Sequence, residues 1–86
     1  MTFISLLILG RYTHINYIAN LHSDNRFAIA TQGEGVLVIK VTKENSLVLT
    51  NISFGSGLVH SVINIDKRFI ALCFYNGIEV YNKDTQ

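Results

Sequence analysis

Along most of its length the chain alternates short apolar runs with small clusters of Gly, Asn, Asp and Ser. In "GVLVIKV", from Gly35, and "IEVY", from Ile78, apolar and polar positions follow a period of two. That period sends successive side chains to opposite faces of a strand. "FIALCF", from Phe69, is apolar on both faces, which suits a strand covered from both sides. No window holds an apolar stripe at helical spacing. The pattern predicts strands over 3–9, 15–22, 26–32, 35–42, 46–54, 58–65, 68–75 and 78–82, an all-β antiparallel chain.

The breaks between the runs carry turn chemistry. Asn76-Gly77 between apolar runs is a strong hairpin signal, because both residues tolerate positive φ. "QGEG", Gln32 to Gly35, supplies glycines at the corresponding place. "SDN" at 23–25 and "DK" at 66–67 are predicted as turns in which the Asp carboxylate bonds a backbone N–H. "TKEN" at 42–45 is a polar connection between two further strands.

The chain also repeats itself. "DNRFAIATQGEGVLVI" from Asp24 and "DKRFIALCFYNGIEVY" from Asp66 match without a gap at a shift of 42 residues. Asp24, Arg26, Phe27, Gly35 and Val38 fall on Asp66, Arg68, Phe69, Gly77 and Val80. Each Arg is expected to bracket the turn of its Asp. "SLLILG" from Ser5 resembles "SLVLTN" from Ser46, whereas "YIANL" and "SVINI" match only with a two-residue gap. A period of about 42 residues with four strands per unit is the signature of β-propeller blades, each a small sheet unable to bury its own faces. The predicted fold is a partial β-propeller of antiparallel, four-stranded, blade-like sheets. Residues 1–14 are the outer strand and loop of a preceding blade, 15–57 one full blade, and 58–86 an incomplete second blade.

"GEGVLVIKVTKENSLVLTN", from Gly33, resembles the LVIVD-type repeat of β-propellers, which has a small-residue turn, Gly-Leu-x-Ile-x-Asp-Val, a polar connection and an apolar outer strand. The match runs through Gly35, Val36, Leu37, Val38, Ile39, Lys40 and Val41, and more weakly through Gly77, Ile78, Glu79, Val80 and Tyr81. Lys40 stands where that family favours Asp, and the proline before its outer strand is missing, as is every proline. The subfamily stays open. The resemblance implies a binding or scaffolding module; it is compatible with the cell surface or secretion, and the compartment stays open. Neither a Trp-Asp nor a Gly-His pair is present, which disfavours a WD40 repeat.

Composition bounds the rest. At 86 residues there is room for one small domain, and such a chain buries only roughly 60–65% of its unfolded surface. Closed propellers have about four to eight blades, so some two blades imply a piece of a longer chain, a truncated gene product, or a subunit that closes by oligomerising. The single cysteine excludes an internal disulfide, and a net charge of +1 without a basic run gives no nucleic-acid footprint. "MTFISLLILG" is too short to span a membrane as a helix and lacks a signal peptide's positive start.

Candidate chemistry is thin. His14, His22 and His60 lack the close spacing of a zinc site, and Cys73 inside "FIALCFY" is expected to be a small buried hydrophobe. Ser56 lies in "FGSGL" rather than a nucleophile elbow, and neither "GEG" nor "GSG" opens a helix. "NIS" at 51–53 is a glycosylation sequon, meaningful only in a secreted protein. No catalytic, cofactor-binding or metal residues are assigned. Loops at one rim of a propeller carry function, which places a protein-binding patch on Arg11, Tyr12, His14, Gln32, Glu34, Ser56, His60, Tyr75 and Asn76. The expected partners are another protein or further blades. The alternative is a self-contained small β-sandwich or barrel subunit acting in ligand binding or oligomeric assembly.

Overall fold

The computed structural model describes the backbone of residues 7–8 and 11–12 and the whole of residues 14–85. Strands β1 (Leu7–Ile8) and β2 (Arg11–Tyr12) pair with each other. β3 (Ile15–Asn20), β4 (Arg26–Thr31), β5 (Val36–Val41) and β6 (Leu47–Phe54) form a four-stranded sheet in chain order. β7 (Ser61–Asn64), β8 (Phe69–Phe74) and β9 (Gly77–Asn82) form a three-stranded one. Every strand pair is antiparallel, and neither sheet closes on itself.

Two elements differ from expectation for local reasons. The strand expected over 58–65 starts only at Ser61, because the backbone ahead of it is bonded to the first sheet. Gly35 N–H donates to Gly57 O at 2.8 Å, and Val59 N–H donates to Thr31 O at 2.9 Å. Ahead of β3, Arg11–Tyr12 is a strand rather than a connection. Residues 3–6 and 9 of the strand expected over 3–9 lie outside the described residues.

Alternation along the strands builds the core. Ala28, Ala30, Val36 and Val38 point from the first sheet at Val62, Ile70 and Leu72 of the second, with Phe54 and Val59 closing the cluster. All nine are buried, and each of the larger side chains contributes about 1.5–3 kcal/mol by leaving water. Two amides clip the sheets together along β3: Asn16 Nδ2 donates to Val59 O at 2.9 Å, and Asn64 Nδ2 to Leu21 O at 3.3 Å. Ile29 and Ile39, on the opposite face of the first sheet, are buried as well.

The backbone corrects the internal alignment. Leu21 N–H donates to Arg26 O, and Ile65 N–H to Phe69 O, so Leu21 corresponds to Ile65 and Arg26 to Phe69, not Arg68. Ala30 pairs with Val36, and Cys73 with Ile78. The offset between the sheets is therefore 44 residues in the first strand, 43 in the second and 42 in the third. Each hairpin of the second sheet is one residue shorter than its counterpart. A one-residue slip inverts a strand's faces, so this staircase keeps equivalent faces aligned where the gap-free match would turn β8 over.

The turns differ in mechanism. Asp66 Oδ1 accepts from the N–H groups of Arg68 and Phe69 at 2.7 and 2.9 Å, the expected Asx turn. At 23–25 the turn instead rests on positive φ at His22, Asp24 and Asn25, and on Asn20 Oδ1 accepting from His22 N–H at 2.7 Å. Arg68 reaches Asp66 through its backbone; its guanidinium lies over the Phe69 ring. The last hairpin turns on Tyr75-Asn76, with Phe74 opposite Gly77 and no positive φ at these positions.

Positive φ is required at Gly35, where φ is +69° and an added Cβ would lie 2.6 Å from Gly55 O and 2.7 Å from Phe54 O. Thr31, fully buried, braces this turn: its Oγ1 donates to Gly35 O at 2.7 Å and accepts from Glu34 N–H at 2.8 Å. Gly35→Ala is expected to destabilise the fold by about 2 kcal/mol or more, through left-handed strain and the backbone clash. Gly33→Ala, with nothing within 4 Å of its Cβ position, stays near neutral. Urea unfolding of the two variants checks the contrast.

Candidate functional site

Antiparallel strands send alternate connections to opposite ends. The β4–β5 turn, the β6–β7 connection, the β8–β9 turn and the residue before β3 therefore share one end of the sheets. Gln32 N–H donates to His14 O at 3.0 Å, drawing those two exposed residues together. Glu34 bridges to Gly57, beside Ser56, which is exposed between two glycines of positive φ. On the second sheet the rings of His60 and Tyr75 lie 6.3 Å apart between centroids, tilted by 41°. Tyr75 is 92% exposed, and Asn76 beside it is also exposed.

One connection joins the two groups. Val59 N–H bonds the first sheet at Thr31 O, and the next residue, His60, bonds the second at Cys73 O, both at 2.9 Å. His14, Gln32, Glu34, Ser56, His60, Tyr75 and Asn76 thus lie at one end of the sheets. The backbones of Arg11 and Tyr12 form β2, and their side chains lie outside the described residues. The end displays hydrogen-bonding side chains and one protruding aromatic, Tyr75. Among the described residues no three His, Cys, Asp or Glu side chains gather as a metal site, and no helix is long and apolar enough to cross a membrane.

The opposite end holds an open groove of about 810 Å³ between the sheets. Leu21, Val38, Ile52 and Phe54 form its apolar wall, and Arg26, Asp66, Lys67, Lys83 and Asp84 line its mouth. Lys83 Nζ donates to Asn64 Oδ1 and, at 2.5 Å, to Asp66 O; its burial lowers its pKa. Arg26 Nε is buried without a hydrogen-bond partner. Sequence reasoning missed this groove, because its walls come from opposing sheets and only their packing creates it. The repeated Asp24 and Asp66 turns were the available hint, since both lie at that end.

Other singled-out residues take structural places. Cys73 is a free thiol, half-buried on the outward face of β8 rather than fully buried. Tyr81 packs on Phe54 across the sheets, while Tyr17 is 49% exposed. Asn51 of the sequon is exposed at an irregularity of β6, where Thr50 Oγ1 donates to Val38 O at 2.8 Å. Compared with family models, curated proteins and solved structures, the chain gives no match.

The two backbone N–H bonds to Asp66 favour its ionised carboxylate and hold its pKa below the ordinary 3.8. A depressed folded-state pKa contributes stability that is complete above the unfolded value and is lost as pH falls through the folded one. Asp66→Ala should therefore lose stability near neutrality and show a flatter decline between about pH 5 and pH 2. Urea midpoints measured across that range check this; parallel acid limbs for parent and variant would refute it.

Proposed function

We propose that the chain is a non-catalytic protein-interaction or scaffolding module: about two blades of an LVIVD-like β-propeller, belonging to a larger protein or assembly. The observation that carries this reading is the way the two sheets stack. Both are up-and-down antiparallel meanders, and the apolar face of the first is buried by the second rather than by a layer of its own. Stacking of like units is how repeat architectures obtain a core. The staircase of offsets supports the same reading, because it preserves equivalent faces despite unequal turns.

The binding patch is assigned to Arg11, Tyr12, His14, Gln32, Glu34, Ser56, His60, Tyr75 and Asn76, with Tyr75 as its aromatic anchor. Exposed tyrosines carry large contact area at low entropic cost, and function gathers in loops held by a rigid scaffold. The alternative, a self-contained β-sandwich, is favoured by the burial of the first sheet on both faces, through Ala28 and Val38 on one and Ile29 and Ile39 on the other.

A photo-crosslinking residue at Tyr75 is expected to capture a discrete protein that the same residue at Lys43, at the opposite end, does not. Equal capture from both positions would remove the patch from consideration.

A further inference from the structure

We infer that the outward face of the second sheet and the free edge of β9 seat a second copy of this chain, head to tail, against the β3 side of its first sheet. The inference rests on the module reading above and names the partner of its exposed face.

That face is apolar and open. Ile63, Ile65, Ile78 and Val80 are each at least half exposed, around Ala71 and Cys73. Register places Ile63, Ala71 and Val80 in one cross-strand row, and Ser61, Cys73 and Ile78 in the next. β9 pairs only with β8, leaving its other edge unpaired among the described residues. An open apolar face beside a free edge is a surface that associates.

The interface inside the chain says what fits there. By backbone equivalence Ile63, Ala71 and Val80 stand where Ala19, Ala28 and Val38 stand in the first sheet. Those three are packed against the shared core cluster, and the second sheet meets it with Val62, Ile70, Leu72 and Tyr81. The equivalent positions on the first sheet are Ile18, Phe27, Ile29 and Ile39, with the same cross-strand pairs: Ile18 with Ile29, and Phe27 with Ile39. All four are apolar. Ile29 and Ile39 are already buried, so the seat runs along β3 and the start of β4, where Ile18 is 36% exposed and Phe27 half-buried.

A polar match accompanies the apolar one. Asn64 Nδ2 donates across the sheets to Leu21 O. Asn20 holds the equivalent place to Asn64, and Ile65 that of Leu21, so Asn20 of one copy facing Ile65 O of the next repeats the bond. The edge is accounted for as well. Leu7-Ile8 stands where Val48-Leu49 stands in the strand that pairs with β5. Leu7–Ile8 precedes β3 as β6 precedes β7. Seated head to tail, it lies beside β9 and supplies a fourth strand. With two units per copy, a closed ring of about four to eight units takes about two to four copies.

The 86-residue chain should sediment as such a closed oligomer, and Val80→Lys should shift it to monomer with its far-UV circular dichroism unchanged. By the β5–β6 register, Lys40 opposite Val48 translates to Asn82 opposite Leu7 of the neighbouring copy. In a Cys73→Ala background, Leu7→Cys with Asn82→Cys should therefore oxidise to a ladder of covalent oligomers, and either cysteine alone to dimers at most. A monomer at all concentrations, a crosslink closing within one chain, or an oligomer indifferent to Val80→Lys overturns the inference. If the ladder fails while Tyr75-specific capture persists, the module reading survives without the second copy. If the ladder forms and Tyr75 captures no more than Lys43, the second copy stands and the module reading falls.

Discussion

Everything in this fold depends on one apolar contact, the face of Ala28, Ala30, Val36 and Val38 against Val62, Ile70 and Leu72. On the faces that meet, neither sheet has any other layer among the described residues, so this core exists only where both sheets are present. The two alanines on β4 matter because they are small: they leave room for the branched side chains of the second sheet to pack closely. The connection between the sheets is shaped by the same closeness. A Cβ on Gly55 would come within 2.8 Å of Leu72 Cδ2, so the chain crosses where only a glycine leaves space. In so small a domain this single contact carries most of the margin between folded and unfolded.

The strands and the antiparallel chain order were legible because period-two alternation and turn residues both pointed the same way, as in "GVLVIKV" and "FIALCF". Parity alone then told which connections share an end. Register was not legible. The match of Arg26 with Arg68 and Phe27 with Phe69 is better by residue identity than the true correspondence of Arg26 with Phe69. Turn length, which sets register, is decided by local backbone conformation: positive φ at Asp24 and Asn25 in one turn, and a carboxylate accepting two N–H groups in the other. Asn76-Gly77 misled for a related reason. A two-residue turn on Tyr75-Asn76 moved the glycine into the strand and put the tyrosine at the tip.

The two ends of the sheets differ in chemistry as a result. One end collects polar loop residues and an outstanding aromatic, with Val59 and His60 bonding the connection to each sheet in turn. The other collects charge around a groove whose walls belong to different sheets, with Lys83 holding the Asp66 turn to Asn64. The groove was invisible beforehand because no stretch of sequence contains it. The polar end was visible because each of its parts is a turn, and turns announce themselves locally.

The place of Tyr81 has a spectroscopic consequence. The chain contains no tryptophan, so its four tyrosines carry its near-ultraviolet emission. Tyr81 alone among the described tyrosines spans the inter-sheet contact, with its ring 6.0 Å from that of Phe54 and its hydroxyl donating to Glu79 at 2.7 Å. A phenol bonded to a carboxylate is a poor emitter. Separation of the sheets would break the ring contact, whereas the bond to Glu79 lies within β9 and does not depend on it, so the surroundings of the Tyr81 ring, and with them the tyrosine near-ultraviolet signal, gauge the central seam.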